Sequence, residues 1–335
     1  MTPAAVILVP IAAAVITAGA ILLLFQLLRR YALARPNARS SHRVPTPQGG
    51  GIAVLIAVIA VLVALVLMMP QLFGDPVRLG IVVAAAVALA IVGAIDDIRP
   101  IEPGPRLILQ AITVVVMIAA LPPALRLVPM LPWWIERALM AFGVLWLVNL
   151  VNFMDGIDLI TVAEVVPVTA ALALFGWYGA LPADAMFVAL ALCGAMLGFA
   201  PFNRPVARLF LGDVGSLPVG LLIGWLLILL AQQHLVSAIL LPLYYFADAT
   251  ITLLRRLLRG ERITQAHRAH FYQQAVDGGM TVRQAVFRIF VVNVTLGILA
   301  AAAFDSASWL QALTLIAGAA AVGFLLSGFS QRAPR

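Results

Sequence analysis

Five polar stretches interrupt an otherwise apolar chain, and each carries side chains suited to phosphates or a hard cation. The sharpest reads Gly93-Ala94-Ile95-Asp96-Asp97-Ile98-Arg99-Pro100. Asp96 and Asp97 are adjacent carboxylates that close an apolar run. A charge at membrane depth costs about 2.5–3.5 kcal/mol on insertion scales, so a divalent metal, a proton or an arginine has to relieve the pair. In the stretch 147–158, Asn149, Asn152 and Asp155 recur every three residues and are followed by Gly156 and Asp158. Successive members are neighbours on a helix, and their oxygens suit a hard cation or a ribose and base edge. Helix capping would account for one Asn and one Asp, not for the whole set.

Three further stretches follow, of which the first and last carry groups suited to phosphates, while the Gly212-Asp213 pair by itself reads as a turn. Arg39-Ser40-Ser41-His42-Arg43-Val44-Pro45-Thr46-Pro47-Gln48-Gly49-Gly50-Gly51 is stiffened by proline. Its glycines open a helix, whose unsatisfied N–H groups and positive dipole end make an expected anion site. In the stretch 201–216, Asp213 sits between Gly212 and Gly215 just before an apolar run, with Ser216 the expected N-cap. The last stretch holds Arg255-Arg256 and then Ala266-His267-Arg268-Ala269-His270-Phe271-Tyr272-Gln273-Gln274. His267 and His270 share a face if that block is helical. No cysteine accompanies them, which argues against zinc and, with arginines nearby, for contacts to phosphates. Asp248, inside an apolar run, is expected to pair with an arginine one or two turns away.

The elements that must position these groups are transmembrane helices. The 335 residues are 64% hydrophobic and only 10% charged, against about 25% charged in soluble domains. The apolar runs approach about 20 residues, the length that spans a bilayer core. The chain is therefore expected to be an all-α, polytopic integral membrane protein, one domain over 1–335 with about 10–11 transmembrane helices. The expected spans are 4–28, 50–69, 79–95, 107–121, 137–153, 163–180, 185–200, 217–232, 237–254, 285–304 and 309–328. The fourth is short and carries Gln110, which lowers the count to ten if it does not cross. The first has no basic leader or small-residue cleavage site and reads as a retained helix.

All fixed positive charge is arginine, and the map with an outside N-terminus puts 18 arginines on one side and 3 (Arg78, Arg126 and Arg137) on the other. Positive charge is retained in the cytoplasm. The five polar stretches then fall on the cytoplasmic face of a bacterial inner membrane. The net charge of +7 is thus a membrane-orientation signal, and no nucleic-acid partner is expected. Cys193 stands alone in an apolar run, which leaves no disulfide or thiol metal cluster. A secondary transporter is the rival of another class, but no internal repeat is evident and the acidic residues gather at one face. An aspartyl protease using Asp213 and Asp248 would leave Asp96-Asp97 and the Asn ladder unexplained.

The five stretches, in this order, resemble the polyprenyl-phosphate N-acetylhexosamine-1-phosphate transferases of glycosyltransferase family 4. The resemblance rests on His42-x-x-Pro45-x-Pro47-x-Gly49-Gly50, Asp96-Asp97, Asn149-x-x-Asn152-x-x-Asp155-Gly156-x-Asp158, Phe202-Asn203-x-x-Pro205, Phe210-x-Gly212-Asp213-x-Gly215-Ser216 and the histidine block. It covers roughly residues 37–275. It implies transfer of a sugar 1-phosphate from a UDP-sugar to undecaprenyl phosphate, with release of UMP and use of Mg²⁺ (Mn²⁺ the alternative ion). By position, Asp213 looks like the main metal ligand with Asn152 beside it. Asp96 and Asp97 match the paired acidic motif assigned to the acceptor phosphate or the base role, so that Asp96, Asp97 and Asp213 form the implied catalytic set. His42, Asn149, Asn152, Asp155, Asp158, Arg255, His267 and His270 form the implied substrate-binding set, with Asp155 and Asp158 on the nucleotide side.

The chain departs from the family pattern at Leu159-Ile160, where Gly-Leu is usual, and at Ser41, where a basic residue is frequent. Its histidine block, His-Arg-Ala-His-Phe-Tyr-Gln, is more similar to the branch that starts O-antigen or other cell-surface polysaccharides. Phospho-MurNAc-pentapeptide transfer is the alternative within the superfamily. A homodimer is compatible with either. The acceptor's phosphate monoester, with a second pKa near about 6, is mostly dianionic at neutral pH. Direct in-line attack, favoured here with an aspartyl covalent intermediate as the alternative, therefore needs positioning and charge neutralisation more than a strong base.

Overall fold

In the computed structural model, residues 3–34, 45–261 and 267–331 are described, and thirteen helices account for nearly all regular structure among them. In chain order they are α1 (Pro3–Tyr31), α2 (Gly50–Met68), α3 (Pro76–Ile98), α4 (Pro103–Ala119), α5 (Trp133–Met154), α6 (Ile160–Trp177) and α7 (Ala183–Asn203). Then follow α8 (Asp213–Ala231), α9 (Leu235–Leu240), α10 (Leu243–Leu258), α11 (Phe271–Asp277), α12 (Val282–Ala303) and α13 (Ser308–Ser330). Among the described residues nine of these are long and apolar enough to cross a membrane, and α4 is a shorter apolar helix of 17 residues. The protein is an all-α, polytopic membrane protein. Its outer surface carries exposed Leu22, Leu23, Leu67, Phe142, Phe287 and Phe324, a distribution that only a lipid solvent tolerates over so wide an area.

Every expected span is helical, with one correction. The ninth, expected to run unbroken over 237–254, is split into α9 and α10 around Leu241-Pro242. Pro242 has no N–H to continue the helical ladder, and its ring crowds the preceding turn. Hydropathy does not register the break, because both pieces are apolar.

Helix α8 is the central pillar. It is apolar all round, as a helix enclosed on every side must be, and its residues are buried almost without interruption from Val214 to Leu230. Helices α2, α3, α5 and α9 pack around it. Close approach at its N-terminal end requires glycine. A Cβ on Gly51 of α2 would lie 2.1 Å from the Gly215 Cα, and one on Gly93 of α3 would lie 2.3 Å from the Asp213 carbonyl. These two glycines let α2 and α3 bring their polar ends directly against the start of α8.

A short antiparallel pair, β1 (Leu33–Ala34) with β2 (Thr46–Pro47), leads into α2. The segment 210–211 then joins it: Phe210 N–H donates to the Pro47 carbonyl (2.9 Å). The Gly50 and Gly51 N–H groups donate to the Phe210 and Leu211 carbonyls, each at 2.9 Å. This corrects the expected anion site at the opening of α2. Those two amides are already satisfied by backbone, and Gly51 serves helix packing instead. His42 and its neighbours through Val44 lie outside the described residues.

Candidate active site

The site lies where α3, α5 and α7 end and α4, α6 and α8 begin. Asp96 and Asp97 occupy the last turn of α3, which runs through to Ile98. Their carboxylates diverge. The two oxygens of Asp97 accept the N–H groups of Asp213 (3.0 Å) and Val214 (3.1 Å), 116 and 117 residues away. Asp97 therefore supplies the N-terminal cap that α8 lacks locally, since Gly212 has no side chain to offer. Ser216, expected as the cap, lies within the first turn of α8, where its hydroxyl accepts from Asn152 Nδ2 (3.0 Å). Gln48 Nε2 donates to the Asp97 carbonyl (2.8 Å), which ties the β2–α2 segment to the same corner.

Asp96 turns the other way. It accepts the Ile101 N–H (2.6 Å) and pairs with Arg106 Nη1 at 2.8 Å. The same guanidinium nitrogen reaches Asp213 Oδ2 at 3.6 Å. Arg106, in the first turn of α4, thus stands between two carboxylates from separate helices. It is the functional candidate that the sequence reading passed over, counted only as one more cytoplasmic arginine. Its signal was available: an arginine ten residues beyond an aspartate pair, across Pro103 and Pro105, can fold back onto that pair.

The three-residue ladder on α5 fans out. Three residues turn a helix by about 300°, so each member falls back by about 60°. Asn149 is buried and donates to Gln110 of α4 (2.9 Å) and to the Leu145 carbonyl (2.8 Å). Asn152 faces α8, where Ser216 and Asp213 are its neighbours. Asp155, the first residue past α5, accepts from the Thr161 hydroxyl of α6 (2.5 Å). Burial pushes the Asp155 carboxyl up to about 6; the Thr161 hydrogen bond opposes this, and the charges of Asp97 and Asp158 add to it. Asp158 accepts the Ala207 N–H (3.0 Å), while Asn203 holds the α6 start by accepting from Leu159 N–H (2.7 Å).

Asp96, Asp97, Asn152, Asp155, Asp158 and Asp213 are all half-buried, sheltered yet open to a ligand. Among the described residues no group of three His, Cys, Asp or Glu side chains is arranged to hold a metal unaided. Asp213 with Asn152 beside it, and Asp96 across Arg106, offers a hard-oxygen set of fewer protein ligands. That set fits magnesium, which binds through one or two carboxylates and completes its shell with water and substrate phosphates.

His267 and His270 precede α11 rather than share a helical face, though their rings still meet at 4.9 Å between centroids. Arg255 lies over the Phe271 ring at 4.6 Å. The expectation for Asp248 is corrected. Its partners are His270 Nδ1 (3.3 Å) and backbone amides rather than an arginine, and Arg256 pairs with Glu261 at 2.7 Å.

Residues 79–231 match glycosyl transferase family 4. The chain is 24% identical over 291 residues to a probable undecaprenyl-phosphate N-acetylglucosaminyl 1-phosphate transferase of Bacillus subtilis (strain 168), covering 84% of this chain and 79% of that protein. It is 27% identical over 245 residues to the phospho-N-acetylmuramoyl-pentapeptide-transferase of Streptococcus pneumoniae (strain CGSP14), covering 68% of this chain and 73% of the relative. The enzyme of that name from Enterococcus hirae is 31% identical over 137 residues, covering 39% and 42% of the two chains.

Proposed function

We propose, on the match to glycosyl transferase family 4 and on the relatives, that this protein is a polyprenyl-phosphate hexosamine-1-phosphate transferase and transfers an N-acetylhexosamine 1-phosphate from a UDP-sugar to undecaprenyl phosphate. UMP is released, and a cell-surface glycan such as O-antigen is begun. The observation that carries this reading is the meeting of Asp96, Asp213, Arg106 and Asn152 from four different helices at one end of the bundle. Arginine asymmetry supports a cytoplasmic position for that end.

Asp213 and Asn152 would hold Mg²⁺ together with the donor diphosphate, and the bound ion would neutralise charge on the UMP leaving group. Arg106 offers a second, fixed cation for phosphate oxygens. Asp97 fixes Asp213 by capping the helix that Asp213 begins. Asp96, already paired with Arg106, sets where the acceptor phosphate can approach. The dianionic acceptor phosphate attacks the sugar-linked phosphorus in line, so most of the rate comes from positioning and electrostatics. Asp155 and Asp158 border the nucleoside side.

A second reading, transfer of phospho-MurNAc-pentapeptide, is favoured by the names of several relatives. The Bacillus subtilis relative, matched over 84% of this chain, bears the N-acetylglucosaminyl name, and the histidine block fits the polysaccharide branch. The test is UMP release by purified protein with undecaprenyl phosphate, Mg²⁺ and a panel of UDP-sugars, with mass spectrometry of the lipid product. UMP release that needs donor, lipid phosphate and Mg²⁺ together is expected. Release without the lipid, or from none of the donors, would sink the proposal.

A further inference from the structure

Asp248 is fully buried, with 0% exposure, in α10, yet it makes no ion pair with an arginine among the described residues. Its Oδ1 accepts the Phe271 N–H (3.1 Å) and faces His270 Nδ1 (3.3 Å). Its Oδ2 accepts the Tyr272 N–H (3.3 Å) and the Tyr244 hydroxyl (3.2 Å). Three donors and the His270 ring nitrogen converge on one carboxylate, and two of the donors are the first amides of α11. Removing such an acceptor leaves several buried donors unsatisfied at once. The register of α11 is therefore fixed from α10.

What α11 does with that register is visible one residue further on. The Tyr272 hydroxyl donates to the Phe153 carbonyl at the end of α5 (3.3 Å). The same hydroxyl presses on Gly156: a Cβ there would lie 2.1 Å from Tyr272 Oη, and 3.1 Å from Gln273 Nε2. Gly156 is the middle of the turn that carries Asp155 and Asp158. That turn is also pinned from its other side by Thr161 on Asp155 and by the Ala207 N–H on Asp158. A contact on its backbone at Gly156 therefore shifts both carboxylates together.

We propose that Asp248 is a positioning residue for the nucleoside end of the donor site, acting through Tyr272 on the backbone at Gly156. The inference rests on the reading of Asp155 and Asp158 as donor-side carboxylates. Asp248 and Tyr272 do not touch substrate; they set the distance between α11 and the turn. The occupant whose fit depends on that distance is the uridine portion of the donor, while the lipid phosphate, at Asp96 and Arg106, is indifferent to it.

The geometry makes a compensating pair available. Gly156→Ala drives a methyl into the Tyr272 hydroxyl, whereas with Tyr272→Phe the nearest remaining atoms are Gln273 Nε2 at 3.1 Å and the Tyr272 ring carbon Cζ at 3.2 Å, a contact that small shifts relieve. The test is UMP affinity by calorimetry on the full-length protein for wild type, Gly156→Ala, Tyr272→Phe and the double variant, with thermal midpoints alongside. Gly156→Ala is expected to weaken UMP about tenfold or more, and Tyr272→Phe on top to recover most of that loss, a coupling typical of residues in contact. Asp248→Ala, where it folds, is expected to raise the donor KM with the lipid KM unchanged.

Additive effects in the cycle would overturn the inference while leaving the donor-side reading intact. So would recovery of the thermal midpoint without recovery of UMP affinity, which would make the contact merely structural. Wild-type protein that binds no UMP would overturn the donor-side reading itself, and this inference with it.

Discussion

Asp97 and Asp248 use one device for two purposes. Each carboxylate accepts two consecutive N–H groups at the start of a helix that lies elsewhere in the chain, 116 residues away for α8 and 23 for α11. A carboxylate at a helix N-terminus is favoured both by hydrogen bonding and by the dipole. The settings differ. Asp97 is half-buried among charged groups, and the helix it caps begins with Asp213, the proposed ligand itself. Asp248 is sealed among a tyrosine, a histidine and backbone, and its helix reaches the site only through Tyr272. The same cap thus acts directly on the reacting end in one place and at one remove in the other. Loss of the first should strike turnover, and loss of the second should strike donor affinity.

The largest test of that contrast is Asp213→Ala, which keeps Asp97 as the cap but removes the proposed ligand. Transfer should fall by about 10²–10³-fold, the worth of a single preorganised electrostatic group, while the thermal midpoint in detergent barely moves. Normal turnover would remove the metal assignment. Next comes Asp97→Ala, which strips both amide acceptors from α8. Cap removal costs about 0.5–2 kcal/mol of stability, and kcat should drop about 100-fold as Asp213 loses its fixed position. Asp97→Asn, which keeps one acceptor oxygen, should fall between that variant and wild type. If Asp97→Ala raises only the donor KM, the two caps do not differ as described.

Arg106→Gln sharpens the direct side of the comparison. Asp96 and Asp213 lose their shared cation, so Mg²⁺ titrations should show half-maximal activity at a lower Mg²⁺ concentration, with a maximal rate reduced about tenfold. An unchanged Mg²⁺ dependence would mean that the guanidinium does not compete for those carboxylates. Asp155 gives a smaller, pH-dependent effect. Its folded pKa of about 6 lies above the ordinary carboxylate value of about 4. Its contribution to stability is therefore fully present below about 4 and is lost as pH rises through about 6. Ligand-free protein should show that decline in its thermal midpoint, and Asp155→Asn should flatten it. Smallest of all, Cys193→Ser should change activity less than about twofold, since the thiol is buried in α7 away from the site.

The membrane-spanning helices were legible because span length and apolar composition are local quantities. Helix breaks are less so: Pro242 interrupts the ninth span within an apolar run that hydropathy reads as continuous. At the site, residue types pointed to one end of the bundle, but long-range partners could not be read from spacing. The Gly50 and Gly51 amides look free in sequence and are taken by the carbonyls of Phe210 and Leu211, 160 positions further along. Asn149 fits the ladder with Asn152 and Asp155, yet its amide is used by Gln110. Asp97 reads as half of an acidic pair, and only the fold reveals a helix cap. For Asp248, proximity in sequence suggested an arginine, whereas the partner is the start of α11. Each of these depends on which distant backbone group arrives, and that is decided by packing around α8.

The account depends above all on the polar stretches sharing the cytoplasmic face. Its most direct measurement is thiol labelling with a membrane-impermeant reagent, on a Cys193→Ser background, at Arg99→Cys, Arg208→Cys and Met130→Cys, three positions that are exposed in the wild type. Arg99→Cys and Arg208→Cys should react only in inside-out vesicles, and Met130→Cys only in right-side-out ones. Labelling of positions 99 and 208 from opposite sides would contradict the account.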